Sequence, residues 1–214
     1  MSDFDVIVLG GGTTGLEAAK LTAKAGLETL VFEPGYPGGT CLNYGCTPTK
    51  MLEYQASVYQ TVRESHRFHV KTSEPSFDYP GAVQSIRESI AGWRKDHERM
   101  VDGIEGLELV KSRGCFVDEE TVMAGSSGKE YSGDKIVVAT GAMPAVPPVK
   151  GLNEVDYLTY RTVLNMDELP DSLIILGAGF IGVEYAGIYS RLGVDVTVVE
   201  VGDRILPRLD REIS

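Results

Sequence analysis

Two cysteines, Cys41 and Cys46, stand five positions apart in the segment with the strongest chemical signal, Gly38 to Lys50. In a regular α-helix such residues have Cα atoms roughly 8.6 Å apart, whereas a disulfide tolerates no more than about 7 Å. The backbone must be distorted if the two sulfurs are to bond, and we expect Gly45 to supply the conformational freedom. Zinc is the competing interpretation, but its usual ligand spacing is tighter and a second cysteine or histidine pair is missing.

A helix is expected to begin just after the cysteines, because Pro48 suits a first helical turn, whose N–H groups have no partners. The positive end of that helix would face the sulfurs and lower a thiol pKa, which favours the thiolate needed for disulfide exchange. The pattern predicts helices from Thr49 to about Arg67 and from Gly81 to about Val101. Cys115, alone in a strand-rich region, is expected to be a small buried hydrophobe.

The elements that must position this pair belong to an internal repeat with an offset of 167 residues. Each copy predicts a buried parallel strand, a glycine turn, a helix and a second strand that ends in glutamate. The matched glycines are Gly10, Gly12 and Gly15 with Gly177, Gly179 and Gly182, and the matched glutamates are Glu33 and Glu200. Such a βαβ unit holds a dinucleotide, with the pyrophosphate at the helix N-terminus and the glutamate on the ribose.

Two dinucleotide sites indicate one tightly held flavin, FAD, and one exchangeable nicotinamide cofactor. At the second site Glu200 would hold a free 2′-hydroxyl and repel a 2′-phosphate, so NAD is favoured over NADP.

Between the repeats, the region from Leu107 to Val138 predicts an antiparallel meander with a turn at residues 126–128. Pro144, Pro147 and Pro148 then form a stiff crossing between domains. We therefore expect an α/β fold, in which residues 1–148 form a Rossmann-like FAD-binding domain with an antiparallel β-meander. Residues 149–214 are expected to form the first part of a second, truncated Rossmann-like NAD-binding domain, because a doubly wound sheet normally continues with further strands.

The segment from Gly39 to Lys50 resembles the active-site signature of the class I pyridine nucleotide-disulfide oxidoreductases, which include dihydrolipoamide dehydrogenase, glutathione reductase and mercuric reductase. Residues 139–141 with the following prolines resemble that family's flavin-domain exit, and residues 177–184 its NAD turn. The resemblance implies an enzyme that passes electrons between a nicotinamide, FAD and a Cys41–Cys46 redox disulfide. It also implies a homodimer and a small-molecule disulfide or dithiol substrate.

The resemblance assigns roles residue by residue. Cys46 becomes the sulfur nearest the flavin, and Cys41 the thiol that exchanges with substrate. Lys50 is implied to lie beside the flavin N5 and to pair with Glu184, and Phe180 takes the place of an aromatic gate over the nicotinamide. The remaining cofactor-binding residues implied by the motifs are Thr13, Thr14, Pro34, Gly39, Thr40, Gly45, Gly114, Cys115, Ala139, Thr140, Gly141 and Ile181.

Some features leave the substrate open. Thr47 and Thr49 replace the aliphatic residue and the serine that commonly flank the proline, a pattern similar to mercuric reductase-like members. A mercuric-ion reductase and a non-catalytic dinucleotide-binding fragment are therefore kept as alternatives. The family's acid–base histidine has no match among His66, His69 and His97, and its C-terminal interface domain is expected to lie outside this sequence. Val201 and Pro207 stand where NADP-using members carry arginine, which agrees with NAD.

The formal net charge of −11 disfavours nucleic acid and anionic membranes as partners. Neither a signal peptide nor an apolar run of about 20 residues is evident, so we expect a cytoplasmic protein.

Overall fold

The structure of the chain, a computed structural model, describes residues 3–213. Its strands are β1 (Phe4–Leu9), β2 (Thr29–Phe32), β3 (Leu107–Val110), β4 (Gly114–Phe116), β5 (Thr121–Ala124), β6 (Glu130–Val138), β7 (Ser172–Leu176) and β8 (Asp195–Val199). Its α-helices are α1 (Thr13–Lys24), α2 (Gly39–Asn43), α3 (Cys46–Arg63), α4 (Tyr79–Asp102) and α5 (Phe180–Arg191), with short 3₁₀ turns at Ser65–Phe68, Leu152–Glu154 and Val163–Asn165. Among the described helices, none is long and apolar enough to cross a membrane.

The chain divides into two compact units, and each is built from two separate segments. The first unit runs up to Thr47 and resumes over Glu88–Asn153, and the second comprises Pro48–Arg87 and the described residues from Glu154 onwards.

The first unit is built on a six-stranded sheet in the order β3-β2-β1-β6-β5-β4. Strand β1 pairs in parallel with β2 and β6, and its side chains alternate between the two faces. Val6 and Val8 pack with α1 on one face, whereas Ile7 and Leu9 join a cluster that includes β5 on the other. The buried central strand and the helical crossovers confirm the predicted α/β class.

The antiparallel part of this sheet is smaller than predicted. Strand β3 pairs in parallel with β2, because the long helix α4 precedes it and returns the chain in the same direction. Strands β4, β5 and the start of β6 form the antiparallel part, and β6 then becomes a parallel partner of β1 from Gly133 onwards. The turn predicted at residues 126–128 is confirmed, with the N–H groups of Ser127 and Gly128 both bonded to the Ala124 carbonyl oxygen.

The internal repeat is confirmed as two βαβ units. Val6 is the register partner of Thr29, and 167 residues later Leu173 is the partner of Val196. The strands of the second copy are not buried as predicted: the side chain of Ile174 is 68% exposed, whereas the side chain of Ile7 is inaccessible. The reason is that β7 and β8 form a two-stranded sheet whose exposed residues alternate with partly buried ones such as Ile175, which lies against α5.

Two local predictions need correction. Helix α3 begins at Cys46 rather than Thr49, so Pro48 is its third residue, still within the first turn that tolerates proline. It ends at Arg63, before a 3₁₀ turn closed by His69 in the left-handed conformation with φ 62°. The prediction that Cys115 is buried is wrong, because its side chain on β4 is exposed.

Candidate functional site

The first glycine turn connects β1 to α1 by a close backbone approach. Gly10 has φ +110°, which favours glycine, and a Cβ added at Gly15 would lie 1.8 Å from the Gly10 carbonyl oxygen. Gly12 is the N-cap of α1 and has no side chain that could cap the first turn, which begins with the exposed Thr13 and Thr14. The N-terminus of α1 therefore presents backbone N–H groups and a partial positive charge suited to a phosphate.

The glutamate at the end of β2 is bonded to this turn. Glu33 Oε2 accepts a hydrogen bond from the Gly11 N–H at 2.8 Å, and Oε1 accepts one from the Gly35 N–H at 2.8 Å. Its carboxylate is thereby held at the place where the ribose of a dinucleotide is expected. Pro34, which follows it, is exposed.

Two other predicted segments meet the same turn in the first unit. The Gly38 N–H donates to the Gly11 carbonyl oxygen at 2.8 Å, and a Cβ added at Gly39 would lie 2.6 Å from the Gly12 Cα. After β6, the Ala139 N–H donates to the Leu9 carbonyl oxygen at 2.8 Å, ahead of Thr140 and Gly141. The structure thus brings residues 10–15, Glu33, Gly39–Thr40 and Ala139–Gly141 together.

Two further residues that the resemblance assigns to cofactor binding, Gly114 and Cys115, lie on β4. A Cβ added at Gly114 would lie within about 3 Å of the side chains of Leu9, Val122 and Phe32. This glycine therefore makes room for core side chains on that face, and Cys115 beside it points to solvent.

The backbone between the two cysteines is interrupted. Helix α2 ends at Asn43 and α3 begins at Cys46, and the N–H groups of Tyr44 and Gly45 both bond to the Thr40 carbonyl oxygen, at 2.9 and 2.7 Å. The predicted distortion is confirmed, but the reason for Gly45 is different from the predicted one. Its φ lies outside the left-handed region, and a Cβ there would lie 3.1 Å from the Thr40 carbonyl oxygen, so close approach explains the glycine.

The Cys41 and Cys46 side chains lie side by side as exposed free thiols in this structure. A hydrogen bond with Cys46, followed by partial burial, raises the pKa of the Cys41 thiol. For Cys41 this direction is opposite to the predicted lowering, because the hydrogen bond with Cys46 and the partial burial both favour the protonated thiol.

In the second unit, the predicted Lys50 and Glu184 side chains form an ion pair between α3 and α5. The pair is accessible, with 67% of the Lys50 side chain and 31% of the Glu184 side chain exposed. Exposed ion pairs of this kind contribute little to the stability of the fold.

The second glycine turn repeats the first in detail. A Cβ added at Gly182 would lie 2.0 Å from the Gly177 carbonyl oxygen, and Gly179 caps α5 with the same extended conformation as Gly12. Glu200 Oε2 accepts from the Ala178 N–H at 2.7 Å, and Oε1 from the Gly202 N–H at 2.9 Å. These backbone hydrogen bonds lower the pKa of Glu200, and the bond from Ala178 has the largest effect. The carboxylate is therefore ionised at neutral pH. Phe180 and Ile181, which open α5, are both exposed.

A concavity elsewhere in the second unit has a volume of about 650 Å³ and is lined by residues of the loop between α3 and α4, including His66 and His69. Both histidines are exposed. Within residues 3–213, no group of three or more His, Cys, Asp or Glu side chains could hold a metal ion.

A scan against protein families matches residues 4–214 to the family described as pyridine nucleotide-disulphide oxidoreductase. The chain belongs to this family.

Relatives within this oxidoreductase family carry more than one activity in their names. The chain is 36% identical to a dihydrolipoyl dehydrogenase of Bacillus subtilis, with 100% of this chain and 47% of that protein aligned. It is 30% identical to a mercuric reductase of Staphylococcus aureus, with 99% and 38% aligned. Among solved structures, the HOCl-induced flavoprotein disulfide reductase RclA from Escherichia coli has a TM-score of 0.84 and 30% identity, over 98% of this chain and 45% of that one. The chain therefore spans less than half the length of each of these three proteins.

The family implies FAD and a pyridine nucleotide, and the residues of this chain fit both groups. Each βαβ unit offers a glycine N-cap, a close helix–strand approach that only glycine permits, and a carboxylate bonded to the turn. This combination is the one that accommodates a pyrophosphate and a ribose.

Sequence reasoning missed two residues that hold the segment with Cys41 and Cys46, namely Asn43 and Arg94. The buried Asn43 amide donates to the Gly39 carbonyl oxygen at 2.8 Å and also to that of Tyr36 at 3.3 Å. Its Oδ1 accepts from Arg94 Nε at 2.6 Å, and the Arg94 guanidinium lies 4.1 Å from the centre of the Tyr36 ring. Asn43 could have been singled out as a polar residue between the two cysteines, whereas Arg94 lies on the distant helix α4 and gave no sequence signal.

Proposed function

We propose that the protein is an FAD-dependent NAD(P)H:disulfide oxidoreductase of the dihydrolipoamide dehydrogenase type. The observation that supports this most strongly is the interruption between α2 and α3, which places the Cys41 and Cys46 sulfurs side by side. The same unit contains a complete dinucleotide-binding turn with its glutamate. A close cysteine pair and a flavin-type turn within one compact unit are what electron transfer to a disulfide requires.

We assign residues 1–148 to an FAD-binding domain and residues 149–214 to the first part of an NAD-binding domain. In the first, the α1 N-terminus and residues 39–40 would hold the FAD pyrophosphate, and Glu33 would hold its ribose. In the second, the N-terminus of α5 and Glu200 would hold the nicotinamide dinucleotide. When bound, FAD supplies the ability to take a hydride from the nicotinamide and to pass an electron pair to a disulfide.

The chain's own residues would then carry the disulfide chemistry. Opening the Cys41–Cys46 disulfide takes up two electrons and two protons and leaves both sulfurs as thiols. The Cys41 thiol, once deprotonated, would attack a substrate disulfide and release one substrate thiol. Cys46 would then attack the mixed disulfide, which re-forms the Cys41–Cys46 disulfide and releases the second substrate thiol. Lys50 would place positive charge beside the flavin and favour its reduced form, and Phe180 would gate the nicotinamide position.

The test of this function is an anaerobic reductive titration of the purified yellow protein. We expect the protein to take up twice as many electrons as its flavin alone requires, with a matching gain of titratable thiols from Cys41 and Cys46. Colourless protein that takes up no FAD would support the alternative of a non-catalytic nucleotide-binding module. Protein that stops at the electrons of the flavin alone would contradict the redox disulfide.

The substrate is proposed to be a small-molecule disulfide or dithiol, with lipoamide as the first compound to assay. A mercuric-ion reductase is the second candidate, because the two thiols are exposed side by side and relatives named mercuric reductase align with almost the whole chain. Steady-state turnover with lipoamide and with mercuric ion, under the same NADH concentration, separates the two.

At the second dinucleotide site, NADH is proposed to be preferred over NADPH. The Glu200 carboxylate is ionised and held at the strand end, where it would repel a 2′-phosphate. We expect the Glu200→Ala variant to lose at least about tenfold in the ratio of kcat/KM for NADH to that for NADPH, which corresponds to about 1.4 kcal/mol. Steady-state kinetics with each nucleotide measure this ratio in the unmodified protein and in the variant. Faster flavin reduction of the unmodified protein by NADPH than by NADH would rule out the assignment.

We further propose that the intact enzyme is a cytoplasmic homodimer without nucleic-acid or membrane partners. The net charge of −11 supports the second part of this proposal. Sedimentation of the purified protein measures the oligomeric state.

A further inference from the structure

Helices α3 and α5 of the second unit are joined by three polar links. The first is the Lys50–Glu184 ion pair, and the second is an ion pair between Glu53 and Arg191 at 2.9 Å. The third joins the neighbours of the first pair, because Thr49 Oγ1 lies 3.0 Å from the Tyr185 hydroxyl. The two ion pairs are accessible to solvent, whereas Thr49 and Tyr185 are 5% and 7% exposed.

Because they are buried, the Thr49 and Tyr185 hydroxyls form the link between α3 and α5 that is most costly to break. A buried hydroxyl that loses its hydrogen-bond partner destabilises the fold by its full desolvation free energy. The charged groups of an exposed ion pair can instead be solvated by water when the pair separates. The helices α3 and α5 can therefore move apart at Lys50 and Glu184 at little cost, but not at Thr49 and Tyr185. Burial raises the pKa of Tyr185, so its hydroxyl is protonated and available as a donor or an acceptor.

We propose that Thr49 and Tyr185 are positioning residues that hold Lys50 in register with Glu184. This inference rests on the proposed function for its consequence at the flavin, but the positioning itself concerns only these four side chains. It gives Thr49 a specific task that requires a hydroxyl group, which the serine common at this position of the family signature would also supply.

The chain offers a matched control one helical turn further along α5. Tyr189 is also buried, stacks on Tyr185, and bonds through its hydroxyl to that of Tyr79 at 3.0 Å. Replacing Tyr189 by phenylalanine removes a buried hydroxyl of the same kind from the same helix, but leaves Thr49 and Lys50 untouched.

The first experiment measures the reactivity of the Lys50 amine in the purified protein, by competitive acylation and mass spectrometry. We expect Thr49→Val and Tyr185→Phe to raise the acylation rate of Lys50 at least about threefold, towards the rate in Glu184→Gln, because an amine released from its ion pair is a freer nucleophile. Thr49→Ser, which keeps the hydroxyl, and Tyr189→Phe should leave the rate unchanged. Equal rates in all variants, or an equal rise in Tyr189→Phe, would overturn the proposal.

Stability is separated from positioning by the double variant Thr49→Val with Tyr185→Phe. Removing both hydroxyls leaves neither unsatisfied, so the melting temperature should recover relative to the single variants. Lys50 acylation should stay raised in the double variant, since the link is still absent. If the Lys50 acylation rate instead returns towards normal in the double variant as the melting temperature recovers, Thr49 and Tyr185 have only a structural role.

A second readout connects the link to the flavin. Lys50→Met is expected to lower the flavin reduction potential, because it removes the charge that favours the reduced form. Thr49→Val and Tyr185→Phe should lower it in the same direction by a smaller amount, with no change in Tyr189→Phe. If Lys50→Met has no effect on the potential, the proposed role of Lys50 fails while the acylation result still decides the positioning. If Lys50→Met lowers the potential and the other two variants do not, the positioning proposal fails alone.

Discussion

Replacing Cys46 by serine is expected to lower disulfide turnover by on the order of 10³-fold or more, while the flavin is still reduced by NADH at close to its normal rate. A serine hydroxyl can neither form the disulfide nor leave as a thiolate, so electrons that reach the flavin have no route to the substrate. The Cys41 thiol remains in place but has lost the neighbouring sulfur whose hydrogen bond raises its pKa.

Two measurements on the same samples check this prediction: steady-state turnover with a disulfide substrate, and stopped-flow reduction of the flavin. Cys115→Ser is the matched control, because Cys115 is the other exposed thiol of the described chain and lies on β4, outside the segment between α2 and α3. Disulfide turnover that survives in Cys46→Ser would remove Cys46 from the electron route. A comparable loss of disulfide turnover in Cys115→Ser would show that the effect is not specific to Cys46.

Substituting alanine into the two glycine turns is expected to separate the two cofactors. In Gly15→Ala the new Cβ would lie 1.8 Å from the Gly10 carbonyl oxygen, so the backbone of the first glycine turn must shift. We expect this to destabilise the protein by about 3 kcal/mol and to abolish FAD binding. In Gly182→Ala the corresponding distance is 2.0 Å, but the change lies in the second unit. That variant should keep its flavin and lose at least about tenfold in the rate of flavin reduction by NADH.

The flavin absorbance of the purified variants and their unfolding midpoints measure both effects. Gly92→Ala is the control within α4 of the first unit, where an added Cβ has no neighbour within 4 Å among the described residues. It is expected to stabilise the protein by about 0.5–1 kcal/mol, since alanine restricts the unfolded chain more than glycine. A Gly182→Ala variant that loses FAD while Gly15→Ala retains it would reverse the assignment of the two sites.

The repeat was readable from the sequence because glycine positions and apolar strands report local backbone requirements. The offset of 167 residues predicted that both copies form the same unit, and the register partners Val6–Thr29 and Leu173–Val196 differ by that same offset. The degree of burial of the strands in the second copy could not be predicted from the sequence, because it depends on which elements pack against β7 and β8. The parallel direction of β3 was also missed, since strand direction is set by the crossover through α4 and not by residues 107–110 themselves.

The two glycine turns, their glutamates and the need for a broken backbone between Cys41 and Cys46 could be predicted from the amino-acid sequence alone. Each of these follows from short-range sterics, in which the identity of a residue and its neighbours decides the allowed conformation. The folded chain was needed to see that Arg94 supports Asn43, that a neighbouring sulfur raises the pKa of Cys41, and that Thr49 contacts Tyr185. The contacts of Arg94 and Thr49 join residues far apart in the chain, and the pKa depends on how closely the folded backbone brings two side chains together, which local sequence patterns do not encode.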